Sequence, residues 1–113
     1  MHELSLMAAV RDQALAAARA DGAARISAIT LRVGALAGVE LDALRFAAPV
    51  VLAGTIAADA ELCIVTEPAT CHCNACDAAF EARDGCCDCP RCGRISRQLL
   101  SGRALQLVSL QVE

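Results

Sequence analysis

The chain has 113 residues, 57% of them apolar, with thirteen acidic side chains against ten basic ones for a formal net charge of −3. All ten basic residues are arginine, so no lysine-rich face is offered to a nucleic-acid backbone, and no run of about 18 apolar residues could span a bilayer. This length makes one domain's worth of structure, so a second module must be small or inserted.

Alanine supplies much of the apolar content and only Phe46 and Phe80 are aromatic. Each core position therefore buries little area, and a metal staple would help a domain of this size. The start Met1-His2-Glu3 lacks the basic residues of a secretory signal, which predicts a cytoplasmic protein.

Ser5 to Ala20 carries apolar residues at helical spacing, Met7, Val10, Ala14 and Ala17, with Ser5 as the expected cap and Gly22 as the stop. From Arg25 to Val33, Ile29, Leu31 and Val33 alternate with Thr30 and Arg32, a strand pattern. Glu40 to Ala53 repeats Leu41, Leu44, Ala48 and Val51 at helical spacing, although Pro49 removes a backbone donor and is expected to kink or divide the segment. Ala60 to Thr66 reads as a second strand, and Glu67-Pro68 favours an extended exit.

After the break at Ser101-Gly102, Ala104 to Val112 is a final strand whose apolar parity shifts between Leu107 and Val108. The last strand is expected to rejoin the first sheet. This gives an α+β fold, a small three-stranded sheet with two helices, plus an inserted zinc-ribbon module. The α/β domain would take residues 1–68 and 101–113, and the zinc ribbon residues 69–100.

Seven of the eight cysteines lie between Cys71 and Cys92, and such clustering in a reducing compartment reads as metal ligation. Cys73-Asn74-Ala75-Cys76 is followed by Cys89-Pro90-Arg91-Cys92-Gly93. Two-residue spacers let both sulfurs of a pair face one ion, and two pairs close a tetrahedral shell with Zn–S of about 2.3 Å. Four thiolates leave no open position, so Cys73, Cys76, Cys89 and Cys92 describe a structural Zn(II) whose binding supplies about 10 kcal/mol or more. Without it the segment should be disordered.

Cys86 and Cys89 have the same spacing, so spacing alone leaves the ligand set open; the Cys89-Pro90-Arg91-Cys92-Gly93 knuckle favours the set above. Cys71, Cys86 and Cys87 are then expected to be spare thiols, His72 a loop residue, and Cys63 a small buried hydrophobe. A redox dithiol is the competing reading, but that use needs a strand before the Cys-x-x-Cys and a helix after it.

At the N-terminus the Met1 amine, the His2 backbone nitrogen and the His2 imidazole can chelate one ion through fused rings, a nitrogen-rich arrangement suited to Ni(II) or Cu(II). A terminal histidine is more often simply solvated. Glu3 adds a carboxylate, and Glu40 stands at the start of the second helix, where the macrodipole by itself would favour it.

Taken together, Met1-His2-Glu3-Leu4-Ser5 opening a helix, Val33-Gly34-Ala35 ending a strand, and paired cysteines before a terminal strand resemble the HypA/HybF family of hydrogenase maturation factors. The resemblance implies a nickel metallochaperone rather than an enzyme. It places transient Ni(II) cargo on His2 and the terminal nitrogens of Met1, with Glu3 and Glu40 supporting that site. It places zinc on Cys73, Cys76, Cys89 and Cys92. The implied partners are a HypB-type GTPase and the [NiFe]-hydrogenase large-subunit precursor, with no nucleic acid and no membrane; a homo-oligomer is left open.

A zinc-ribbon nucleic-acid or protein-interaction module is the alternative. Arg83, Arg91, Arg94, Arg97 and Arg103 are nearly offset by Asp77, Glu81, Asp84 and Asp88, and Phe80 is the one stacking platform in the segment. A small zinc enzyme would need an open metal position and a general base, for which the sequence offers neither a Ser-His-acid set nor a two-histidine metal motif.

Overall fold

The computed structural model describes residues 2–82 and 86–113. Element order is α1 (His2–Ala20), β1 (Ile26–Gly34), α2 (Leu41–Leu52), β2 (Glu61–Glu67), β3 (Thr70–Cys73), β4 (Ala78–Glu81), β5 (Gln98–Ser101) and β6 (Leu105–Val112). Two three-stranded sheets result, in the orders β2-β1-β6 and β4-β3-β5. The final strand thus rejoins the first sheet. The second sheet adds three short strands to the three expected from the sequence.

The chain divides into two compact units, one of residues 1–31, 39–65 and 106–113 and the other of residues 32–38 and 66–105. In the first unit α1 packs on α2. Met7, Val10, Ala14 and Ala18 are buried from α1, and Leu44, Ala47, Ala48 and Leu52 from α2, together with Ile26, Ile29, Leu31 and Ala57. Small alanines on both helices suit close approach of their backbones.

The helix runs through Ser5, so Ser5 is not its cap, and the buried stripe passes through Ala18 while Ala17 is exposed. A 3-4-4 spacing follows the 3.6-residue period better than the expected set. Its C-terminus closes as a Schellman motif, in which Ala23 N–H donates to Ala18 O at 2.9 Å and Gly22 N–H to Arg19 O at 3.1 Å. Gly22 supplies the left-handed φ of +70° that this closure needs.

Pro49 lies inside α2 without dividing it. The proline forfeits one N–H bond, and the buried face through Leu44, Ala48 and Leu52 continues past it. Glu40 is the N-cap residue with extended backbone, φ −78° and ψ 111°, and its carbonyl accepts the first helical bond from Leu44 N–H at 3.0 Å.

Arg25 exchanges backbone bonds with Glu113, and Ser27 Oγ donates to Gln111 O at 3.1 Å, so β1 and β6 run antiparallel. In β6, Val108 and Ser109 are successive exposed residues. The break in alternation expected from the sequence is there, one residue later. Cys63 on β2 is half-buried rather than buried, as befits a strand at the edge of the order β2-β1-β6.

In the second unit β3 is the central strand, antiparallel to β4 through Cys71↔Phe80 and Cys73↔Ala78 and to β5 through Cys71↔Leu99 and His72↔Gln98. Gly34 and Gly102 meet with little room, since a Cβ built on Gly34 would lie 2.2 Å from the Gly102 carbonyl carbon.

Candidate metal centres

Both knuckles have the same construction. In the first, Cys73 pairs with Ala78 as β3 turns into β4, and Asp77, directly after Cys76, has a left-handed φ of +49°. In the second, Asp88 bridges to Ile95, and Gly93, directly after Cys92, has φ +75°. Glycine takes that conformation freely, and aspartate is among the few other residues that tolerate it. The second turn is closed by Gly93 N–H to Cys89 O and Cys89 N–H to Arg94 O, each 2.9 Å.

These turns aim four thiols at one point. The sulfurs of Cys73, Cys76, Cys89 and Cys92 all lie within 4.8 Å of one another. Cys73 Sγ is 3.6 Å from Cys92 Sγ, and Cys76 Sγ is 3.9 Å from Cys89 Sγ. A tetrahedron with Zn–S bonds of about 2.3 Å has edges of about 3.8 Å, so the sulfur spacing fits a zinc ion. Cys86, the competitor by spacing, is exposed and outside the cluster.

Electrostatics point the same way. Backbone N–H groups of Cys92 and Arg91 hold the Cys89 thiol down to about 6. The neighbouring Cys92 thiol, with burial, pushes Cys76 up to about 12. Four sulfurs this close resist carrying negative charge together, and a divalent cation removes that conflict. Bound zinc would supply cross-linking between the knuckles, with all four positions taken and none open to a substrate.

His72 is a half-buried residue of β3, not a loop residue, and it stands outside the thiol cluster. Its Nε2 is 3.3 Å from Asp77 Oδ1 and its Nδ1 3.2 Å from Asn74 Oδ1. Ser96 Oγ donates to the His72 carbonyl, tying the approach to β5 back onto β3. Cys71 and Cys87 are joined by a disulfide, with Cα atoms 6.0 Å apart, so the expectation of spare thiols holds only for Cys86. Their pairing across two segments carries no spacing signal that a sequence reading could detect.

At the N-terminal end Met1 lies outside the described residues. The structure brings His2, Glu3 and Glu40 together, but not as three converging donors. Glu3 Oε2 accepts a hydrogen bond from Glu40 N–H at 3.2 Å and lies 3.6 Å from His2 Nδ1. Glu40 therefore joins through its backbone amide. The N–H of Glu40 and that of Glu3 itself, helped by His2, hold the Glu3 carboxyl below its ordinary range. His2 is exposed and Glu3 half-buried, so the imidazole is open to solvent while its carboxylate neighbour is fixed by a residue 37 positions away.

Among the described residues, no helix is long and apolar enough to cross a membrane. The family model HypA, described as hydrogenase/urease nickel incorporation, metallochaperone, matches residues 1–112. A hydrogenase maturation factor HypA of a Picosynechococcus species is 42% identical over 112 residues, covering 99% of each chain. One from Chloroflexus aggregans is 44% identical over 112 residues, covering 98% of each. The solution structure of the Ni metallochaperone HypA from Helicobacter pylori shares the fold at a TM-score of 0.72, with 20% identity over 97% of this chain and 96% of that one.

Proposed function

The chain belongs to the HypA family of hydrogenase/urease nickel-incorporation metallochaperones, and on that premise we propose that it carries Ni(II) at its N-terminus and delivers it during maturation of [NiFe]-hydrogenase. The role is carriage, not catalysis. The observation that supports the site most directly is the Glu3 carboxylate, anchored on Glu40 N–H at 3.2 Å while facing His2 Nδ1 at 3.6 Å.

In this reading Met1 and His2 supply nitrogen donors of the kind a tetragonal Ni(II) site prefers. Glu3 orients the imidazole and adds negative charge beside the ion, and Glu40 holds Glu3 in place. A carrier must both select and release its cargo, and an exposed terminal donor set can be approached by a receiving protein where a closed cage cannot. The partners would be a HypB-type GTPase and the hydrogenase large-subunit precursor, in the cytoplasm.

Zn(II) on Cys73, Cys76, Cys89 and Cys92 is the structural ion of this reading, in a ribbon of residues 69–100 inserted into the α/β domain. Its place is to hold two knuckles that have few large apolar side chains of their own.

The test is calorimetric titration of Ni(II) into zinc-loaded protein, beside His2→Ala and a variant with one residue added before Met1. Both changes are expected to abolish nickel binding with zinc unchanged at about one per chain, the closed four-ligand stoichiometry. Nickel binding that survives both would move the nickel site to the cysteine block and overturn the N-terminal reading.

A further inference from the structure

Neither metal site uses Cys71 or Cys87, yet the fold places them with care. Cys71 sits at the centre of the β4-β3-β5 sheet and is fully buried, at 0% exposure. Cys87 is half-buried, and its carbonyl accepts a bond from Ser96 N–H at 2.8 Å, which seats it beside the segment leading to β5. Their Cα atoms, 6.0 Å apart, lie within the range of about 4.4–6.8 Å that a disulfide spans. We infer that Cys71 and Cys87 form a thiol–disulfide exchange site, a reversible covalent staple between β3 and the second knuckle that acts beside the zinc tetrad and on different sulfurs.

The difference in exposure assigns the chemistry. Cys71 is fully buried and Cys87 half-buried, which makes Cys87 the sulfur that an incoming low-molecular-weight thiol attacks, from the side opposite the leaving sulfur. The first thiol bonds to Cys87 and releases Cys71 as a thiol. A second thiol takes the first off Cys87, giving one small-molecule disulfide and two protein thiols, so two electrons pass to the protein. Closure is the reverse: a small-molecule disulfide transfers one half to Cys87, and Cys71 resolves the mixed disulfide, releasing two small-molecule thiols in all. Bonds of this kind in reducing compartments are exchanged rather than permanent.

Two consequences follow. First, seven crowded cysteines offer several four-sulfur sets, including ones through Cys71 or Cys87; closing the staple removes both from competition and leaves Cys86 as the one clustered thiol outside the tetrad. Second, the bond closes a loop across a sequence separation of 16, and a loop of that size biases a chain toward its closed form by about 100-fold. A ribbon that has lost zinc thus keeps its second knuckle against β3 while the staple is closed. This chemistry stands independently of the nickel reading.

The experiment uses the full zinc-loaded chain. Protein is equilibrated in glutathione buffers of increasing reduced fraction, trapped with a maleimide, digested without reductant and mapped by mass spectrometry, with zinc measured on the same samples. A peptide pair linking Cys71 to Cys87 is expected in oxidising buffer, disappearing as reduced glutathione rises. Glutathione itself should appear on Cys87 and not on Cys71, with the zinc content constant. In a second arm, zinc is stripped from the linked protein and from protein opened with a phosphine. Amides of β3 and β5 should then exchange about 100-fold faster in the opened form. Absence of the link in oxidising buffer, linkage of either cysteine to another partner, glutathione on Cys71, or equal exchange in the two metal-free forms would each overturn the proposal.

Discussion

Replacing Gly34 by alanine perturbs the point at which the end of β1 meets the start of the return to β6. A Cβ at Gly34 would lie 2.2 Å from both the carbon and the oxygen of the Gly102 carbonyl and 2.8 Å from Arg103 N. Carbon atoms rest comfortably at about 3.5 Å or more, so the peptide after Gly102 would have to retreat by more than about 1 Å. It has nowhere to go. Gly102 is itself held at φ +99°, with so little room that its own Cβ would lie 2.5 Å from Ala69 Cα. Its oxygen accepts from Leu36 N–H at 2.7 Å, and its N–H donates to Glu67 Oε1 at 3.1 Å.

Losing those two bonds costs about 1 kcal/mol each, and overpacking adds about 1–3 kcal/mol, for a total of about 3–5 kcal/mol. At about 4 °C per kcal/mol, Gly34→Ala should lower Tm by about 12–20 °C. The assay is thermal unfolding of the zinc-loaded protein followed by circular dichroism. Gly38→Ala is the control, because a Cβ there meets nothing within 4 Å. Only its positive φ of 70° opposes the substitution, a cost of about 1 kcal/mol. A Tm fall for Gly34→Ala no larger than that of Gly38→Ala would refute the reasoning.

Zinc binding should respond to the depressed Cys89 thiol. Above about 6 that sulfur is already ionised and gives up no proton to zinc, whereas below it the thiol holds a proton that zinc must displace. The bonds from Cys92 and Arg91 N–H therefore stabilise the fold above the ordinary thiol value of 9.0 and lose that effect as pH falls through about 6. Chelator-competition titrations should show the slope of log affinity against pH steepening by about one on the acid side; an unbroken slope would count against the assigned geometry. The Glu3 carboxyl is also depressed, so its bond from Glu40 N–H is complete above the ordinary value of 4.5 and fades as pH falls below it. The Glu40 amide resonance should track this loss, and Glu3→Gln, which keeps an acceptor oxygen without a titrating group, should flatten it.

Much of this protein was legible because its signals are local. Two-residue spacers between cysteines fix how a pair of sulfurs can face one ion, and the Cys89-Pro90-Arg91-Cys92-Gly93 knuckle favours Cys73, Cys76, Cys89 and Cys92 over a set through Cys86, whose spacing is the same. Gly22 as a helix stop, the burial of Ile29, Leu31 and Val33 and the parity break in β6 likewise depend on neighbours a few residues apart. Where local signals competed, packing decided. Ser5 has the chemistry of a cap but lies within α1, which starts at His2, where Glu3 is held by the Glu40 N–H. Pro49 looked like a break, yet one missing donor is outweighed by the buried face on either side.

The short strands β3, β4 and β5 escaped the sequence because four-residue segments give periodicity too little length to register. Other features exist only through distant approach. The sequence by itself determined the chemistry available, namely four thiols in two knuckles and a histidine at the second position, and the order of the two helices and the three strands of the first sheet. Only the tertiary structure decided that Cys71 meets Cys87, that Gly34 meets Gly102, and that Glu40 reaches Glu3 through its amide rather than its carboxylate. The physical reason is that spacing and periodicity constrain neighbours along the chain, whereas contacts between remote residues are set by how whole elements pack, which local pattern leaves free.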